Sequence, residues 1–226
     1  MAGGCCGHEQ SFAGVSRTYR RILLIIIAIN GLMFGVEMVA GWLSGSQALQ
    51  ADALDFLGDT ISYAVSLWAI GKALAIRSRA AMAKGISLAL MAAWVTGSTL
   101  YKVLILNTPD AVTMGTVAIA AFVANMVSVL LLMRYREGDA NVRSVWLCSR
   151  NDAIGNLVVV AAASGVWATD SAWPDLSVAF VMAALFLSSS IQIIRQARVE
   201  IQQADRDQPA AQTGCTSARR DHPDQS

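Results

Sequence analysis

Histidine is almost missing from this 226-residue chain: there are two, His8 and His222, and both stand near the ends. No Ser–His or His-based hydrolytic metal site can therefore be assembled in its body, and an enzyme is not expected. Charge is scarce too, at 15% Asp, Glu, Lys and Arg. A soluble globular domain carries about 25%. The net charge is only +1, which excludes the basic field of a nucleic-acid binder. Four Pro and four Cys exclude a collagen-like chain and a disulfide scaffold. Disorder is excluded by what is abundant, since 55% of the residues are hydrophobic and the mean hydropathy is +0.49. What remains is an all-α polytopic membrane protein.

A spanning helix needs about 20 apolar residues. Six stretches supply them: Ile22–Leu43, Ala48–Leu74, Ala80–Leu104, Ala111–Tyr135, Val142–Ala168 and Pro174–Ile194. Short connections separate them, at Ser44–Gln47, Ala75–Arg79, Ile105–Asp110, Arg136–Asn141 and Thr169–Trp173. The expected organisation is an N-terminal segment over 1–19, a six-helix membrane domain over 20–198 and a disordered polar tail over 199–226. No signal peptide is expected, because Arg20 and Arg21 lead straight into a full-length span. Basic residues gather on alternate connections: Arg17, Arg20 and Arg21; Lys72, Arg77, Arg79 and Lys84; Arg134, Arg136 and Arg143; Arg195 and Arg198. The positive-inside rule then puts both termini in the cytoplasm and the chain in the cell membrane, in contact with lipid. Trp42, Trp68, Trp146, Trp167 and Trp173 fall near span ends, whereas Trp94 falls mid-span and is expected to pack against another helix.

The informative charges lie inside the spans: Glu37, Asp52, Asp55, Asp59, Arg150 and Asp152. Each costs roughly 2.5–3.5 kcal/mol at mid-membrane and so marks a site by default. Asp52, Asp55 and Asp59 share one face of span two, which Tyr63 and Ser66 extend. Cys148, Asp152 and Asn156 share one face of span five. Counting about 1.5 Å per residue, Asp55 and Asp59 lie roughly 12 and 18 Å from the outer end. By the same rise, Cys148 and Asp152 lie roughly 8–14 Å from the inner end, so the pairs overlap near the midplane. If the faces meet, Asp55, Asp59, Cys148 and Asp152 make a four-donor site for a divalent cation. Ligation needs deprotonated donors, so such a site exchanges metal for protons. The structural alternative is a set of protonated carboxyls bonding between helices, with Cys148 a small buried hydrophobe.

Other residues keep two readings. Asp52, Asn156 and Tyr63 line an access path or support the ligands. Glu37 and Arg150 form an ion pair between spans one and five, or Glu37 relays protons. Cys5, Cys6 and His8 capture metal before it enters, or belong to an unstructured tail. Gly31, Gly35, Gly41, Gly58 and Gly155 permit close helix contact, and Ser188, Ser189 and Ser190 form a packing or subunit face.

The run Ser46-Gln47-Ala48-Leu49-Gln50-Ala51-Asp52-Ala53-Leu54-Asp55-Phe56-Leu57-Gly58-Asp59 resembles the second-span signature of the cation diffusion facilitator family. Asn141-Val142-Arg143-Ser144-Val145-Trp146-Leu147-Cys148-Ser149-Arg150-Asn151-Asp152 resembles its fifth-span signature. The resemblance covers about residues 20–198. It implies a six-helix transporter, usually a homodimer, that exports Zn²⁺ or a related divalent ion against protons without a prosthetic group. The family's two pairs of metal ligands would be Asp55 with Asp59 and Cys148 with Asp152. Many zinc exporters in the family have His at the first position of one or both pairs. Asp at 55 hardens the site and Cys at 148 softens it, which puts Zn²⁺ or Cd²⁺ ahead of Co²⁺, Ni²⁺, Fe²⁺ and Mn²⁺. Most members carry a folded cytoplasmic domain after span six, and the polar tail here resembles the subset without one. Any homodimer would then rest on transmembrane contacts. The rival reading is a non-transporting membrane sensor or partner subunit with a degenerate site.

Overall fold

The computed structural model describes residues 16–69, 74–105, 107–136 and 140–217, with side chains excepted at 69, 74–78, 80, 140–144, 147, 148 and 203–217. Six long helices account for nearly all of it: α1 Arg17–Ser44, α2 Gln47–Ala69, α3 Leu74–Ile105, α4 Ala111–Leu132, α5 Ala140–Thr169 and α6 Trp173–Ser217. A short 3₁₀ turn, Met133–Tyr135, follows α4. Ser16 starts α1 by accepting the Tyr19 N–H at 3.1 Å, and Gly45 ends it at φ +75°, a left-handed cap that favours glycine. Asp110 starts α4, accepting from the N–H groups of Val112 and Thr113. The Thr113 hydroxyl and the Val112 N–H hold its carboxyl below the ordinary carboxylate range.

Two expected boundaries move. Span two was expected to reach Leu74, followed by a loop at Ala75–Arg79. Instead Leu74 already begins α3. Ala75, Ile76, Arg77, Ser78 and Arg79 include neither Gly nor Pro, so nothing local stops the helix. At the other end, α6 runs 45 residues to Ser217, where disorder was expected from residue 199. Straight-chain helix formers continue past that point, and Gln196 Nε2 donates to Glu200 Oε1 at 3.0 Å across the expected boundary.

Among the described residues five helices are long and apolar enough to cross a membrane: α1, Ala81–Ile105 of α3, α4 with its 3₁₀ turn, Ser149–Thr169 of α5 and Trp173–Gln202 of α6. The remaining helix is α2. Its 23 residues reach about 34 Å, enough for a hydrocarbon core about 30 Å thick. Three aspartates set its composition apart. The helices pack chiefly in pairs, α3 with α6, α4 with α5 and α1 with α2, and α2 also touches α3, α5 and α6.

The main core is built largely from small residues, among them Ala40, Ala48, Ala51, Ala92, Ala118, Ala162, Ala163, Ala179 and Ala183. Small side chains let helix backbones approach where lipid supplies no hydrophobic drive for association. A second cluster, at the end that holds the α1 N-terminus, joins Tyr19, Leu23, Ile26, Tyr63, Leu132, Tyr135 and Val145. Its Tyr19 and Tyr135 rings meet edge to face at 5.2 Å. Large apolar side chains such as Leu43, Leu104 and Trp167 face outward, as a lipid-facing surface requires. Trp94 does too, at 58% exposure, contrary to expectation. Gly85, Leu88, Ala92, Val95 and Thr99 form the packed face of α3, and Trp94 stands about 200° around from Ala92, nearly opposite it.

Of the glycines expected at close contacts, Gly41 is one: a Cβ there would sit 2.8 Å from Gln50 Cγ and 3.0 Å from Gln50 N. Gly31 makes ordinary contact with Thr60, and Gly35, Gly58 and Gly155 have open space. Gly85 is a tight position that was not anticipated. Ser190 Oγ donates to its carbonyl at 2.7 Å, and a Cβ there would sit 2.7 Å from Ile194 Cγ1. Ser188 and Ser189 are exposed, so only Ser190 of the serine run packs within the chain. Gly41→Ala is expected to destabilise the bundle by about 1–3 kcal/mol, because a backbone atom blocks the added methyl. Thermal unfolding in detergent checks this, and an unchanged or raised midpoint counts against it.

Candidate functional site

The α2 face carries Asp52, Asp55, Asp59 and Tyr63 into the bundle. Asp52, Asp55, Phe56 and Asp59 line a cleft together with Asn125 of α4 and Asp152 of α5. The cleft has no room for a water molecule. Asp55 and Asp59 both come within hydrogen-bonding reach of Asp152. Tyr63 Oη donates to Asp59 Oδ2 and lies 3.3 Å from Ser149 Oγ on α5. The expected convergence of the α2 and α5 faces is thus present for Asp55, Asp59 and Asp152. Cys148 lies on α5, but its side chain is outside the described residues.

The three carboxyls also border a second space. A cavity of about 350 Å³ opens between α2, α3, α5 and α6, lined by Asp55, Asp59, Asp152, Ser62, Lys84 and Asn151 with an apolar wall from α6. The same carboxyls therefore separate a closed cleft from an open vestibule. Lys84 places that vestibule toward the end of the bundle where α3 begins.

Carboxylates gathered this closely repel one another unless a cation or protons sit among them. Their oxygens suit a divalent ion, at about 2.0–2.2 Å for zinc. Among the described residues no three His, Cys, Asp or Glu side chains are already close enough together to hold a metal ion. A cation entering here would have to draw the carboxylates inward.

The other expected site residues fall as follows. Asp52 is buried and borders the cleft but not the vestibule. Asn156 is fully buried, and neither atom of its amide has a hydrogen-bond partner among the described residues. Cys5, Cys6 and His8 lie outside the described residues. The pairing of Glu37 with Arg150 does not occur. Glu37 is fully buried and faces Asp52 across the α1–α2 contact. Arg150 is exposed, 5.4 Å over the Trp146 ring, and its Nη2 donates to Asn151 at 3.4 Å. The reason is helical phase: Arg150 stands four residues after Trp146 on the same side of α5, so its guanidinium lies over the half-buried Trp146 ring rather than toward α1.

Three residues escaped the sequence reading. Asn125 lines the cleft from α4, a helix with no acid to draw attention to it. Lys84 was read only as part of the basic rim. Asp175 was passed over, yet it is buried and reaches from α6 to the start of α2. It accepts from Ser46 Oγ at 2.6 Å, Gln47 N at 2.8 Å and Ala48 N at 3.0 Å. The available signal was that α2 has no acid in its own first turn.

Residues 23–201 match the profile of the cation efflux transmembrane domain. The chain is 28% identical to the metal cation efflux system protein CzcD of Cupriavidus metallidurans, over 78% of this chain and 58% of that protein. It is 29% identical to the zinc transporter ZitB of Yersinia pestis, over 79% of this chain and 62% of that protein. It is 26% identical to a cadmium, cobalt and zinc/H(+)-K(+) antiporter of Bacillus velezensis, over 84% of this chain and 64% of that protein. The chain thus spans about three-fifths of the length of these relatives. With membrane-length helices and carboxyls gathered between α2 and α5, this multi-pass chain belongs to the cation efflux family, the cation diffusion facilitators.

Proposed function

We propose that the chain exports a divalent metal cation from the cytoplasm by proton antiport, through Asp55, Asp59, Cys148 and Asp152. The observation that carries this reading is the position of Asp55, Asp59 and Asp152 on the border between a closed cleft and an open cavity. A cation arriving through the cavity meets carboxyl oxygens from α2 and α5 together. It displaces protons from them, because only the deprotonated groups ligate. Rocking of one part of the bundle against another then exposes the site to the opposite side, where protons return and the metal leaves. Tyr63 holds Asp59 in position during loading, by the hydrogen bond from its hydroxyl.

Zn²⁺ or Cd²⁺ stands ahead of Co²⁺ as cargo in this reading because Cys148 would soften the site; relatives named for zinc, and for cadmium, cobalt and zinc, support a divalent metal of this group without ranking them. The cavity opens toward the end that carries Arg17, Arg20, Arg79, Arg134 and Arg136, which the positive-inside rule assigns to the cytoplasm. Reconstitution of the purified chain into vesicles with a trapped pH indicator tests the reading. A jump in external Zn²⁺ or Cd²⁺ should move protons; silence across a panel of divalent ions would overturn it. Cys148→Ser should weaken Cd²⁺ transport more than Co²⁺ transport, by about tenfold in the ratio of their KM values, because a hydroxyl is a poorer soft donor. Equal losses for the two ions would remove Cys148 from the ligand set.

A further inference from the structure

We infer that Lys84 acts as a tethered competitor for the acidic site and weakens divalent-cation binding so that the cargo can leave. The inference rests on the transport reading above. Lys84 lines the same cavity of about 350 Å³ as Asp55, Asp59 and Asp152. It is the only cationic side chain among the described lining residues; Ser62 and Asn151 are neutral, and the α6 wall is apolar apart from Ser189. Its charge is felt at both Asp55 and Asp59. Its ammonium stands on a four-carbon stem in the shared cavity, long enough to turn toward the acids.

Three carboxyls without a nearby positive charge would hold a divalent ion strongly. A transporter needs a site that binds well enough to load and weakly enough to unload. A tethered ammonium in the same cavity repels the ion when it is bound and offsets the carboxylate charge when it is gone. Coulomb interaction across a partly wet space of this size supports an effect on the order of tenfold in affinity. A residue that serves only as part of the basic rim, fixing orientation, would leave affinity unchanged.

The test uses the purified full chain with Cd²⁺ as the probe. Lys84→Met keeps the length and apolar stem, and should tighten the Cd²⁺ Kd by about tenfold. Lys84→Arg keeps the charge and should stay within about twofold of the wild type. In vesicles Lys84→Met should lower KM and kcat together, since tighter holding slows release. An unchanged Kd for Lys84→Met, or the same tightening in Lys84→Arg, would overturn the inference. Asp152→Ala serves as the separate check on the site. If it binds Cd²⁺ as tightly as the wild type, the transport-site reading fails, whatever Lys84 does.

Discussion

Asp59→Ala and Asp152→Ala should each reduce metal-driven proton movement in vesicles by at least about 100-fold if both ligate the cargo as proposed, since losing a ligand costs more than losing one of its supports. Asp59 and Asp152 come from different helices and approach each other between the cleft and the cavity. Removing either one leaves a cation with donors from a single helix face plus a remnant. On the proposed mechanism it also removes a carboxyl whose proton is exchanged for metal, so binding and coupling should fail together. Asp59→Asn and Asp152→Asn are the sharper variants. They keep the shape and much of the hydrogen bonding, and should still lose transport, because a neutral amide neither gives up a proton nor balances cation charge. Full transport by either alanine variant, with normal folding, would remove that residue from the site.

A second large effect is expected at Asp175, on stability. Its carboxylate accepts from Ser46 Oγ, Gln47 N and Ala48 N, all in a buried setting. The first N–H groups of a helix have no partner within the helix, and an anion there also meets the positive end of its dipole. Asp175→Ala leaves these donors without their acceptor and out of reach of solvent. Each orphaned group costs about 1–3 kcal/mol, so the two backbone N–H groups alone set an expected loss of about 2–6 kcal/mol. Asp175→Asn keeps one acceptor oxygen and should lose roughly half as much. Thermal unfolding in detergent reads the difference. An alanine variant that melts with the wild type would show that α2 starts without help from α6.

Much of this arrangement is legible in the sequence because membrane helices obey simple rules. Apolar length gives the helices, and helical phase puts Asp55 and Asp59 on one face. The rise per residue brings that face level with Asp152 on the oppositely directed α5. What phase and rise leave open is which helices are neighbours and how each turns about its own axis. That is why Glu37 was matched with Arg150 on sign alone, while the fold turns Glu37 toward Asp52 and Arg150 outward over Trp146. Trp94 was misplaced for the same reason. Asp175 needed a further fact, that the start of α6 meets the start of α2, and no local pattern carries it. Lys84 was hidden by its company, since a lysine beside Arg79 reads as topology until a cavity wall is seen around it.

The Asp175 clasp has a mechanical consequence. It ties one end of α2 to α6, while Asp59 lies twelve residues further along, about 18 Å by helical rise. A tilt of α2 about that tie multiplies with distance: 10° at the clasp displaces Asp59 by roughly 3 Å. A metal–oxygen bond of about 2 Å cannot survive such a displacement. If Asp59 ligates the cargo as proposed, a small swing anchored at the far end would take it out of bonding range, with the α6 tie as the fulcrum.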